Sequence, residues 1–125
     1  MGLKPRLNMT DSLEQLRARV NHFVAERDWA QFHSPKNLSM AMIVEAAELV
    51  EHFQWNTEPE SYELSAEKRE AVSHELADTF VYLLRIAEVL KIDLIEATYQ
   101  KISLNALKYP VHKAKGKNNK YTDYL

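Results

Sequence analysis

Apolar residues recur at three- and four-residue spacing through four stretches of this chain, and polar connectors separate them. The first stretch carries Leu13, Leu16, Val20, Phe23 and Val24 and fades near Asp28. That spacing keeps one face of a helix apolar. Asp11 with Glu14 three residues on predicts a capping box at its start. Trp29 to His33 form a short aromatic and polar link, and Ser34 followed by Pro35 predicts the start of a second helix. This helix is expected to reach about Trp55, with Leu38, Met42, Ala46, Leu49, Val50 and Phe53 on its apolar side. Residues 56–64 contain Pro59 and read as a connector. Ser65 caps a third helix reaching about Leu90, whose expected buried stripe is Val72, Leu76, Phe80, Leu83, Ala87 and Leu90. Asp93 with Glu96 opens a fourth, ending at Tyr109 before Pro110. The tail KAKGKNNKYTDYL is rich in Lys and poor in aliphatics, so extended or flexible chain is expected there.

Composition narrows the class. The chain has 125 residues, which suits one domain. The expected division is a flexible arm over 1–10, a helical domain over 11–110 and a Lys-rich tail over 111–125. Only two Gly and four Pro interrupt long stretches of helix formers, so the fold is expected to be all-α. A net charge of −2 argues against a partner that is a nucleic acid polymer or a membrane surface. No apolar run approaches the ~20 residues of a membrane span, and MGLKPRLNMT lacks a signal-peptide core. The cytoplasm is therefore the expected compartment. The absence of cysteine excludes disulfides, thiolate metal sites and cysteine nucleophiles.

The candidate chemistry lies in two acidic pairs, Glu45 with Glu48 and Glu75 with Asp78, each set in an apolar run. Residues three apart share a helix face, so each helix presents two carboxylates side by side. Four such groups converging in a bundle would repel one another unless a cation joined them, and oxygen ligands suit Mg²⁺, with Mn²⁺ as a substitute. At about 100° per residue, Tyr82 extends the Glu75–Asp78 stripe and His52 the Glu45–Glu48 stripe. Lys101, Asn105 and Lys108 align on the fourth helix, a pattern that suits phosphate oxygens. Blander readings accompany each feature. The acidic pairs would also serve as solvated surface or as partners of Arg85 or Lys101. The Lys101 stripe would serve as an exposed face, and His52 and Tyr82 as satisfied bundle residues. Trp29 and Trp55 are most simply core aromatics, yet both sit at helix ends where a ring can stack on a base. A di-iron bundle is disfavoured because its usual E-x-x-H spacing is missing.

The E-x-x-E of Glu45 and Glu48, an interval of 26 residues, and the E-x-x-D of Glu75 and Asp78 resemble the signature of MazG-like NTP pyrophosphohydrolases. The strings AERDWAQFHSPKNL, EHFQW, HELADTFVYLL, KYPVH and KYTD are similar to the dCTP pyrophosphatase branch of that superfamily. The resemblance implies a four-helix-bundle fold and Mg²⁺-dependent cleavage of dCTP, a modified dCTP or a related dNTP to the monophosphate and pyrophosphate, which fits house-cleaning of the nucleotide pool. It implies Glu45, Glu48, Glu75 and Asp78 as metal ligands. The substrate residues it implies are Trp29, Ala30, Gln31, Phe32, His33, Trp55 and Tyr82, with Lys101 and Asn105 on phosphate. Glu45 or Glu48 would take the proton of the attacking water. A homotetramer built from dimers is implied as well. Two positions depart from the pattern. Val44 stands where the wider superfamily often has a further Glu, and the animal dCTP pyrophosphatases resemble this chain in departing from the pattern there. Val20 stands where the branch has a base-pocket His, which implies weaker cytosine selectivity. The alternatives are the same chemistry on dUTP, dATP or an oxidised NTP, and a non-catalytic helical interaction module.

Overall fold

A computed structural model describes residues 12–125, which form helices with no strand among them. The all-α expectation holds. Four principal helices occur: α1 (Leu13–Glu26), α2 (Pro35–Glu51), α3 (Ala66–Val89) and α4 (Leu94–Lys108), followed by a single-turn α5 (Val111–Ala114). Short 3-10 turns cover Ala30–Phe32, Pro59–Tyr62 and Tyr121–Tyr124.

Each long helix starts where a side chain satisfies one of its free N–H groups. Ser34 accepts from Asn37 N, Ser65 from Lys68 N and Asp93 from Glu96 N, at 3.1, 3.1 and 3.0 Å. On α1 the cap is Ser12, accepting from Gln15 N at 3.1 Å, one residue after the expected position. Asp11 itself, like the expected N-terminal arm, lies outside the described residues. The α2 helix stops at Glu51 rather than Trp55. Beyond it the chain tightens into turns, with Phe53 N and Asn56 N donating three residues back to Val50 O and Phe53 O.

The chain divides into two compact units, the first ending at Lys91 and the second covering Ile92–Leu125. In the first, α2 packs along α3, and α1 touches α3 as well. Arg17 on α1 pairs with Glu88 on α3. The buried apolar residues are few: Val24, Leu38, Val72, Leu84 and Ala87. The stripe expected to be buried on α3 is therefore only partly so. Val72 and Ala87 are buried, but Leu76, Phe80, Leu83 and Leu90 are exposed. Within the unit, α1 and α2 cover only part of the circumference of α3, which leaves that apolar row uncovered.

In the second unit the Lys-rich segment, expected to be extended or flexible, carries the single turn of α5 and a 3-10 turn over Tyr121–Tyr124. The ring of Tyr109, at the end of α4, meets the edges of Tyr121 and Tyr124, each with centroids 6.2 Å away. Lys108 Nζ lies 4.9 Å from the Tyr121 ring centre, and Lys113 Nζ donates to Tyr124 O at 3.3 Å. These aromatic contacts fold the Lys-rich segment back on itself.

Candidate active site

Glu45 and Glu48 come from α2 and Glu75 from α3, and the packing of these two helices brings the three together. One carboxylate oxygen of each lies within 4.8 Å of the others, and all three residues are half-buried. The i,i+3 spacing aims the two α2 carboxylates at the same neighbour, and Glu75 answers from the facing helix. Asp78, one turn beyond Glu75, is exposed and stands outside this group of three. Its charge nonetheless reaches Glu45. Burial, the hydrogen bond that protonated Glu45 makes to Glu75, and the charges of Glu48 and Asp78 raise the Glu45 carboxyl to about 7.

This donor set fits a hard divalent cation. Glu75 Oε2 is buried without a hydrogen-bond partner, a costly state for a carboxylate oxygen that coordination would relieve. The rival arrangement, in which Arg85 neutralises the carboxylates, does not occur. Arg85 donates from Nη1 to Asn21 Oδ1 at 2.9 Å and from Nε to His33 Nδ1 at 3.2 Å.

The expected substrate segment is held at several points. Asp28 adopts a left-handed backbone, φ 53°, which turns the chain out of α1. Trp29 N donates to Val24 O, and the Trp29 ring stands edge-on to Phe23 at 5.7 Å. Gln31 Nε2 donates to Asp28 O and Oδ2 at 3.0 and 3.1 Å, while Asn37 Nδ2 on α2 donates to Phe32 O. Trp29, Ala30, Gln31 and Phe32 remain exposed, and His33 is half-buried. Burial, and then the charge of Arg85, lower the His33 pKa. Trp55 is 87% exposed, so it is no core aromatic in this chain. Tyr82 is half-buried on α3, one turn beyond Asp78. Lys101 and Asn105 are exposed on α4, in the second unit. The contacts of Arg85 with Asn21 and His33 escaped the sequence reading, because 64 and 52 residues separate the partners and no periodicity links them.

A helical fold with a carboxylate cluster on paired helices defines a class, and the comparisons agree with it. A family model described as MazG-like matches residues 40–124. The chain is 41% identical over 120 residues to dCTP pyrophosphatase 1 of Mus musculus, covering 94% of this chain and 71% of that protein. It is 42% identical over 114 residues to dCTP pyrophosphatase 1 of Bos taurus, covering 90% of this chain and 68% of that one. A solved pyrophosphatase from Archaeoglobus fulgidus DSM 4304 matches with a TM-score of 0.74 at 34% identity, over 87% of this chain and 99% of that one. The chain belongs to the MazG-like family.

Proposed function

We propose that this protein is a nucleoside triphosphate pyrophosphohydrolase that converts dCTP to dCMP and pyrophosphate and so clears deoxynucleotides from the cytoplasmic pool. The carboxylate cluster of α2 and α3 carries the reading, and the named relatives support the choice of substrate class. Glu45, Glu48 and Glu75 would hold the ion, with Asp78 beside them. We take it to be Mg²⁺. Such an ion neutralises triphosphate charge and lowers the pKa of a bound water.

The chain's own residues supply the rest. Glu45 or Glu48, both in the half-buried carboxylate group, would accept the proton of the attacking water. One P–O bond of the α–β bridge breaks, and the water oxygen ends on one of the two products. Trp29 and Trp55 offer exposed faces for the base, worth ~1–3 kcal/mol per stacked ring. Gln31 is fixed by Asp28, and His33 by Arg85, so the segment between α1 and α2 is ordered for recognition. Tyr82 would contact the sugar or phosphates. Lys101 and Asn105 would meet phosphate oxygens.

The exposed apolar row on α3 supports assembly into a homotetramer of two dimers, since burying it needs another surface. A nucleotide panel with and without Mg²⁺, with products identified, tests the function. Mg²⁺-dependent release of pyrophosphate from dCTP is expected. Activity that is indifferent to Mg²⁺, or no turnover of any nucleotide, would reject it.

A further inference from the structure

Arg85 is 7% exposed, and it is the one buried charged residue among those described. Among the described residues no carboxylate pairs with it. Its partners are neutral acceptors on two other elements, Asn21 Oδ1 on α1 at 2.9 Å and His33 Nδ1 at 3.2 Å. Burying a guanidinium without an anion is costly, so the arrangement asks for a reason beyond packing.

The chemistry of the pair supplies one. A guanidinium only donates and does not lose its proton in a protein. The Nε–H bond to His33 Nδ1 therefore requires a lone pair on Nδ1, which leaves the ring proton on Nε2. A carbonyl or carboxylate in the place of Arg85 would impose the opposite tautomer. Burial and the adjacent positive charge also oppose an imidazolium, in keeping with the lowered His33 pKa. His33 closes the aromatic link between α1 and α2, and its Nε2 has no partner among the described residues. We propose that Arg85 is a positioning residue that locks His33 as a neutral Nε2–H donor, presented to an acceptor atom of the bound nucleotide. This inference rests on the nucleotide reading above. Asn21 holds the far end of the guanidinium and so belongs to the same device.

Long-range ¹H–¹⁵N spectra of the full chain, labelled in its histidines, read the ring directly at neutral pH with Mg²⁺ present. His33→Gln identifies which of the five histidine signals is His33. A proton on Nε2 and a bare Nδ1 are expected. A proton on Nδ1, a doubly protonated ring or averaged tautomers would overturn the proposal. Steady-state kinetics with dCTP supply the second arm. Arg85→Met should raise KM roughly tenfold, the worth of one good hydrogen bond, with kcat changed little, and Arg85→Lys should not restore it, because one ammonium cannot reach both His33 and Asn21. In a His33→Ala background, Arg85→Met should add almost nothing. Equal losses in both backgrounds would make Arg85 a structural staple and reject the proposal. Should Arg85→Met fail to fold, the wild-type spectrum still decides. If wild type turns over dCTP with the proton on Nδ1, this inference alone falls. If no nucleotide is hydrolysed, the functional reading falls.

Discussion

Glu45 shows at the scale of one residue how a site sets function against stability. It keeps its proton to about 7 against an ordinary 4.5, so between those values the metal-free folded protein binds more protons than the unfolded chain. Stability then falls as pH rises, with this contribution full below about pH 4.5 and lost above about pH 7. Urea midpoints measured across that window should decline in the wild type, and Glu45→Gln should remove this component of the slope. Mg²⁺ competes with the same proton, so the rise in Tm that it gives should grow with pH. Ligand loss should be graded by geometry. Glu48→Gln is expected to cost ~10²-fold or more in turnover and to weaken Mg²⁺ binding. Asp78→Asn should cost less, because Asp78 stands outside the group of three. Trp55→Ala should raise KM for every nucleotide, since an aromatic face does not discriminate. Val20→His should sharpen the preference for dCTP, and kcat/KM ratios over four dNTPs check both.

Among the elements, what was legible in the sequence was local. Ser34–Pro35, Ser65 and Asp93 marked helix starts because a cap acts within three residues, and the structure uses each of them. The first helix is capped by Ser12, one position after the expected Asp11. The acidic spacing was legible for the same reason, since i,i+3 geometry needs no knowledge of the fold. The folded tail was not, because Tyr109, Tyr121 and Tyr124 meet across a loop that no helical period describes. Nor was the exposure of Leu76 and Phe80, because periodicity identifies an apolar face without naming what covers it. Leu38, 1% exposed on α2, is the residue by which this helix is best anchored. Leu38→Ala should destabilise the fold by ~2–5 kcal/mol in chemical denaturation.

For the whole molecule, the small set of buried apolar residues sets the expectation. Burying so many exposed Leu, Ile, Val and Phe side chains in the proposed tetramer would add stability, so Tm should rise with protein concentration. Light scattering at micromolar concentration should give four times the chain mass. Leu76→Glu, on the uncovered row of α3, should lower that mass while leaving the helical content of the chain largely intact. A monomeric mass for the wild type would reject the tetramer.

The clustered carboxylates all stand on α2 and α3, and the segment between those helices supplies none of them. Insertional tolerance should therefore be sharply uneven along the chain. One alanine added within α2 after Met42 turns Glu45 and Glu48 by about 100° relative to Leu38 and should silence the enzyme. A short Gly–Ser insert between Glu63, which is exposed, and Leu64 changes the length of the connector without turning α2 against α3 and should leave Mg²⁺ binding intact. The junction after Glu63, beyond Trp55 and the 3-10 turn of Pro59–Tyr62, is thus a natural place for an internal epitope or a fluorescent label.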